Sequence, residues 1–374
     1  MKKSIKIIAL VLALVTLTMS FASCNSNKGR EIYSLDGVSI TDDLYRYWIS
    51  YYKSYYVKYF SDVEDTEEGW KKEVSEGITA EQYVLDVVDK RMKMYVAALK
   101  LYEDYKLKLS DAALAEIDAA VEQQIEYYGG RSEFGSALLK SCNITIDTIE
   151  EVYKVEKKIQ QLSLYLYGDE SQNISGVTPI TAEQLDTYYK ESFSRIKYLY
   201  FDKVNKYVYN EDGSIKTNSL GSYVTEALTE EEIKDVEAKA KEALGHAKDG
   251  RDFNELIKMY NTPDMDYTKT CPDGYYVSSG SYTSSYVYTL VSNGMKMNVG
   301  DIEFYEDEYA YYVIAKYELI NEAYKTDAQL EYMAKYAAES FFNKLLEEKS
   351  QGVVRDEEYL SKIKLINIGN SVNI

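Results

Sequence analysis

The chain has 374 residues, with 62 Asp and Glu against 43 Lys and Arg, and its formal net charge of −19 disfavours nucleic acid as a partner. A single histidine, His246, and three cysteines leave no sulfur–imidazole zinc set and no Ser-His-Asp relay. Forty tyrosines supply large rings with water-tolerant hydroxyls, which suit grooves for peptides or sugars as well as ordinary half-buried faces.

The chain opens Met1-Lys2-Lys3-Ser4-Ile5-Lys6 and then runs without charge to Ser23, the order of a secretory signal and too short for a membrane span. Phe21-Ala22-Ser23-Cys24 sets small residues before a cysteine, as at a lipoprotein processing site. The expectation is removal of residues 1–23 and acylation of Cys24, with the protein held at the extracytoplasmic face of the cell membrane. Phe21, where such sites usually have Leu, keeps ordinary cleavage near Ala22 as the alternative. Loss of Lys2, Lys3 and Lys6 makes the mature chain more acidic still, and residues 25–30 read as a short polar tether.

Residues 32–40 then read as a small strand and turn, and Thr41-Asp42-Asp43 opens a tyrosine-rich helix. A capping box, Thr79-Ala80-Glu81-Gln82, starts a second helix with Val84, Val88, Met92, Tyr95, Val96 and Leu99 on one face. A third begins at Ser110, carries Leu114, Ile117, Val121 and Ile125, and stops at Gly129-Gly130. A short helix with Phe134, Leu138 and Leu139 ends at Asn143, and another runs through Leu166. After a polar loop over residues 168–179, Thr181-Ala182-Glu183-Gln184 caps a helix bearing Leu185, Tyr188, Tyr189 and Phe193.

The texture changes at Ile196-Lys197-Tyr198-Leu199-Tyr200-Phe201, a β-branched and aromatic strand. Tyr207-Val208-Tyr209 precedes the hairpin signal Asp212-Gly213. Thr229 caps a helix with Ile233, Val236, Ala240, Ala243, Leu244 and Ala247, and Phe253, Leu256, Ile257 and Tyr260 lie on a shorter one. A glycine-, serine- and tyrosine-rich stretch over residues 274–300 leads to a buried strand over residues 309–315. Thr326-Asp327-Ala328-Gln329 is read as opening a long final helix with Leu330, Met333, Ala334, Ala337, Phe341 and Leu345. The fold class is therefore α+β: helical segments at 24–193 and 322–374 form one domain, the C-terminal helix packing on the N-terminal ones, and a β-α-α-β domain is inserted at 194–321.

In this order the motifs resemble the parvulin-type foldase lipoproteins, PrsA-like and SurA-like. Asp36-Gly37-Val38-Ser39-Ile40-Thr41 resembles the family's N-terminal entry motif, the segment from Gly129-Gly130 to Thr145 its next helical segment, and Gly250-Arg251-Asp252-Phe253-Asn254-Glu255-Leu256 the parvulin helix pair. The resemblance covers most of the mature chain. It implies a helical chaperone domain, a peptidyl-prolyl isomerase-like domain, no cofactor, and unfolded exported proteins as partners.

The family's pocket uses two strand histidines, an Asp or Cys, and a Met and a Phe. Here the histidine positions fall on Tyr198 and Tyr312, the acidic position on Asp264 with Asp266 as the other candidate, and the proline-binding wall on Tyr282 and Tyr286. His246 matches neither histidine position and reads as a helix-surface residue. The departures imply a degenerate site with weak or lost isomerase activity. Two further possibilities stay open from the residues: a tyrosine-rich lipoprotein that binds glycans or small solutes, and a Cys142–Cys271 disulfide.

Overall fold

The computed structural model describes residues 29–59, 64–169, 172–278 and 285–370. The leader, Cys24 and Tyr282 lie outside these described residues, as does the side chain of Tyr286. The chain divides into two compact units, one built from the residues up to Pro179 together with those from Ala338 onward, the other from Ile180–Ala337.

The first unit starts with an antiparallel pair, β1 (Glu31–Leu35) and β2 (Val38–Thr41), joined by Asp36 and Gly37, both at positive φ. Four helices of the core follow the expected signals: α1 (Asp42–Tyr59), α2 (Ala80–Asp104), α3 (Asp111–Tyr127) and α4 (Arg131–Cys142), and α5 (Ile146–Tyr167) closes the set. The Thr79 hydroxyl accepts the Gln82 N–H at 3.2 Å, and Ser110 accepts that of Ala113 at 3.1 Å. Asn143, at φ 53°, ends α4 in the left-handed region. Val84, Val88, Met92 and Val96 face a core shared with Ile49, Phe134, Leu138, Ile149 and Val152. Leu114 and Leu139, read from spacing as stripe residues, are instead exposed at 37% and 55%. Helical spacing sets a face to about a third of a turn, and the buried arcs here are centred on Ile117–Val121 and Phe134–Leu138.

The second unit begins with α6 (Ala182–Ser192) and β3 (Phe193–Asp202). A hairpin arm, β4 (Asn205–Tyr207) and β5 (Thr225–Ala227), precedes α7 (Glu230–Lys248) and α8 (Phe253–Tyr260). Then come β6 (Tyr275–Ser278), α9 (Ser285–Lys296), β7 (Ile302–Glu306) and β8 (Ala310–Tyr317). The last three strands and β3 form an antiparallel sheet in the order β6-β3-β8-β7. Its registers put Tyr312 opposite Tyr200 and Ile314 opposite Tyr198, so alternation sends these four to one face. Leu199, Phe201, Tyr311 and Val313 take the other face, where α7 and α8 cover them with Ala240, Ala243, Leu256 and Ile257. On the first face α9 lies so close that a Cβ on Gly294 would stand 2.9 Å from Ile196 Cγ2.

The unit boundaries fall before 194 and after 321. Tyr189 and Phe193 pack with Tyr276, Ala323, Leu330 and Met333, so α6 and the residues after β8 belong with the sheet. The expected helix start at Thr326 is also displaced. The Asp327 carboxylate accepts the Gln329 N–H at 2.9 Å and caps a 3₁₀ turn, Ala328–Leu330, and helix α10 (Met333–Ser350) starts only after it.

Beyond Ala338 the chain returns to the first unit. Phe342 and Leu346 pack on Ala97, Leu101, Leu162 and Leu166, and β9 (Val354–Arg355) adds a third strand beside β1. Lys53, 1% exposed, holds the final segment. Its Nζ stands 2.9 Å from Asp65 and donates to the carbonyls of Ile368 (2.5 Å) and Leu365 (3.3 Å). Cys142 and Cys271 are both free thiols. No helix among the described residues is long and apolar enough to cross a membrane.

Candidate functional site

The sheet unit carries a groove of about 700 Å³ between the second half of β3, the hairpin arm, the middle of α7 and the end of α8. Two features of the chain create it. β6 pairs only with residues 193–196 of β3, so the strand beyond Ile196 has no strand neighbour on that side among the described residues. Asp202 then accepts the N–H groups of Val204 and Asn205, both at 2.8 Å, and turns the chain out of the sheet into the arm.

The arm is built on three backbone hydrogen bonds that close a ring. Val208 N–H donates to the Val224 carbonyl at 2.9 Å, Val224 N–H to Lys216 at 2.8 Å, and Lys216 N–H to Val208 at 2.8 Å. Two glycine turns, with Gly213 at φ 80° and Gly221 at φ 79°, carry the chain around this ring. Lys206 ties the base of the arm to Glu226 at 3.1 Å and also to Glu232. Hydrogen bonding to Lys206, and to the Thr229 cap, holds the Glu232 carboxyl down to about 2.

The walls are largely aromatic. Tyr200 and Phe201 come from β3, Tyr207 and Tyr209 from the arm, Tyr260 from α8, and Tyr309 from the turn before β8. Val204, Leu228, Val236 and Met265 fill the space between them. The Tyr207 hydroxyl donates to Asp264 at 2.7 Å, and burial together with that bond pushes it up to about 12, so it stays a neutral donor. Lys239 lies 6.0 Å from the Tyr260 ring centre. Chemically this is an apolar, ring-lined trough with hydroxyls and a few charges at its rim, able to take large side chains without demanding one shape.

The residues expected at an isomerase site are divided between two places. Tyr198 is buried on the sheet face, its ring stacked 5.0 Å from Tyr267 and tilted against Tyr275 at 5.8 Å. Tyr312 is fully buried on the same face and donates its hydroxyl to Asp307 at 2.8 Å. Burial works upward on Asp307, but bonds from Tyr309 N–H, the Thr289 and Tyr312 hydroxyls and Ala310 N–H outweigh it and hold the carboxyl below its usual range. Asp264 is exposed in the groove and accepts from Tyr207, and Asp266 is tied to Thr268 at 2.7 Å. Tyr200 touches both places, lining the groove and meeting Tyr312 edge-on at 5.7 Å, and Tyr309 lines the groove while its N–H donates to Asp307 at 2.8 Å. His246 is partly exposed on α7, 3.5 Å from Glu242.

The arm, Tyr260 and Tyr309 were not singled out from sequence as groove residues. The signals were present in the Tyr207-Val208-Tyr209 alternation and in the two N-x-x-G-S turns at Asn210 and Asn218.

No protein-family model matches the chain, and no curated protein matches it either. Among solved structures, its neighbours include PrsA proteins. The peptidylprolyl isomerase PrsA of Bacillus anthracis is 17% identical, covering 70% of this chain and 94% of that one, with a TM-score of 0.27. PrsA of Bacillus subtilis is also 17% identical, covering 79% and 94%, at a TM-score of 0.22. The foldase protein PrsA of Streptococcus pneumoniae is 16% identical, covering 89% and 98%, at a TM-score of 0.21.

Proposed function

We propose that the protein is an extracytoplasmic folding helper that holds unfolded exported chains in the aromatic groove of its sheet unit, while lipid on Cys24 keeps it at the membrane. The groove carries this reading. An unfolded segment presents apolar side chains of varied shape, and a trough walled by Tyr200, Tyr207, Tyr209, Tyr260 and Tyr309 offers them ring area at little entropic cost. The strongly acidic surface keeps such a holder soluble beside sticky clients. The order of sequence motifs points the same way.

Isomerase activity is assigned a weak or absent share. Rotating an X–Pro bond crosses a barrier of about 20 kcal/mol, and lowering it takes a dry pocket that grips the ring while groups act on the amide. Tyr198 and Tyr312 are buried by their own neighbours, and Asp264 is engaged elsewhere. Any turnover that exists is assigned to Tyr198 and Tyr312, with Tyr282 and Tyr286 as the wall. A glycan- or solute-binding reading lacks support: every strand pairing among the described residues is antiparallel, so no βαβ lobe is formed.

The test is suppression of aggregation of a denatured client by the mature chain, with isomerisation of an X–Pro peptide followed in parallel. Suppression lost in Tyr209→Ala/Tyr309→Ala supports the groove, whereas a chain that never slows aggregation rules the proposal out. The mass of the N-terminal peptide from cells, compared with Cys24→Ser, decides the anchor separately.

A further inference from the structure

The helical unit has a basic pocket in an otherwise acidic chain. A cavity of about 280 Å³ is walled by Arg46, Lys140, Tyr359, Lys362 and Lys364, and no carboxylate lines it. Arg46 is fixed there: its guanidinium binds Asp42, and donates to the Tyr359 hydroxyl and the Asn143 carbonyl, each at 3.3 Å. Lys362 reaches Glu358 at 2.6 Å on the exposed rim. Lys140 and Lys364 are exposed and form no ion pair among the described residues.

The pocket also lies beside the point where residue 30 meets the helical unit. Arg30 stacks over Tyr359 at 5.1 Å from the ring centre, so the chain enters the helical unit on the pocket's own wall. From residue 24 to residue 30 a chain can reach no farther than about 20 Å. If Cys24 is acylated, as the proposed function holds, the headgroup layer is therefore within reach of this wall. An anionic leaflet repels the acidic remainder of the surface and attracts lysines that approach within a Debye length.

We propose that this pocket binds the phosphate of an anionic membrane lipid and so orients the helical unit on the bilayer. Arg46, held by Asp42, Tyr359 and Asn143, forms a fixed wall, and Lys140, Lys362 and Lys364 supply the charges around the headgroup.

The probe is the full mature chain made without its leader and with Cys24→Ser, so that it carries no lipid; its behaviour does not depend on whether Cys24 is acylated in cells. It is sedimented with vesicles containing phosphatidylglycerol and with vesicles of phosphatidylcholine alone. Binding is expected only to the first, weakening with salt, and falling about tenfold in Lys140→Gln/Lys362→Gln/Lys364→Gln. A control that removes equal charge elsewhere on the unit, Lys71→Gln/Lys106→Gln/Lys349→Gln, should keep binding within about twofold. Both variants change exposed side chains, and an unchanged melting transition verifies folding. No binding to the anionic vesicles, or an equal loss in the control, overturns the proposal. Inorganic phosphate should displace the chain from these vesicles more than chloride does at matched ionic strength, because it competes for the same donors; displacement no greater than by chloride overturns a phosphate-binding pocket.

Discussion

The Tyr267 hydroxyl clips onto the backbone of Tyr198 at both ends, accepting its N–H at 2.6 Å and donating to its carbonyl at 2.9 Å. Asn261 does the same service two residues on, accepting the Tyr200 N–H at 3.0 Å while its amide donates to the Met265 carbonyl. Together they close the edge of β3 that β6 leaves open. A bare edge is a template for any extended chain, and the two clips occupy the backbone groups that would otherwise offer one.

Tyr267→Phe keeps the ring stack on Tyr198 but orphans a buried N–H and carbonyl. It should destabilise the sheet unit by about 1–3 kcal/mol. Thermal denaturation should show a fall of roughly 2–4 °C per kcal/mol, with client holding retained below the transition. An unchanged melting temperature would mean the clip is not formed.

Two glycines separate strain from crowding. Gly213 has φ 80° with nothing near its absent Cβ, whereas Gly274 has φ 104° and a Cβ there would stand 2.5 Å from the Ile196 carbonyl oxygen. Gly213→Ala should cost about 1 kcal/mol, and Gly274→Ala distinctly more, because strand β3 itself must shift. Chemical denaturation of the two variants gives the ranking, and equal costs would contradict the close approach of the β6 turn to β3.

Lys53 tests the closure of the helical unit. Lys53→Met removes the ion pair with Asp65 and frees the Ile368 and Leu365 carbonyls, so a loss of about 3 kcal/mol is expected, the lower end for a broken buried pair because Asp65 is partly exposed. Burial raises the Asp65 carboxyl, but bonds from Trp70, Lys53 and Asn370 outweigh it and hold it below the usual range. A lowered carboxylate contributes stability that is present above about pH 4 and is lost as pH falls through the folded value. The variant should therefore show a flatter acid limb than the parent in denaturation measured from neutral pH downward.

Alkali tests the buried tyrosines. Burial pushes Tyr33, Tyr45, Tyr47 and Tyr189 well above the ordinary value, and Tyr207 to about 12. Groups raised in the folded state stabilise it below their unfolded pKa of about 10 and lose that contribution as pH rises toward the folded values. Unfolding free energy should be nearly level from pH 8 to about pH 9.5 and drop steeply above pH 10. Equal stability at pH 8 and pH 11 would contradict the burial.

The helical unit was largely legible in the sequence because its signals are local. Thr79, Ser110 and Asn143 mark helix ends by their own chemistry, and Val84, Val88, Met92 and Val96 repeat at helical spacing. β9 was not legible, since two residues, Val354 and Arg355, carry no period and become a strand only beside β1. Helix α9 was hidden in a glycine-, serine- and tyrosine-rich stretch, whose Gly294 makes sense only against Ile196. For the site, Tyr198 and Tyr312 came from the resemblance to the family, and that they share a face follows only from the β3–β8 register, which no local pattern encodes. The groove was not legible, because Tyr260, Tyr309 and the arm meet through long-range packing that no spacing encodes.

The central claim is that unfolded chains bind in the groove of the sheet unit. Its most direct test is the affinity of the mature chain for a permanently unfolded, fluorescently labelled client, measured by anisotropy for the parent and for Tyr209→Ala/Tyr309→Ala. Both side chains are exposed, at 58% and 43%, so the variant should melt like the parent. The account predicts dissociation constants at least about tenfold higher for the variant, in line with the loss of two aromatic anchors; equal affinity in a variant of unchanged melting temperature would contradict it.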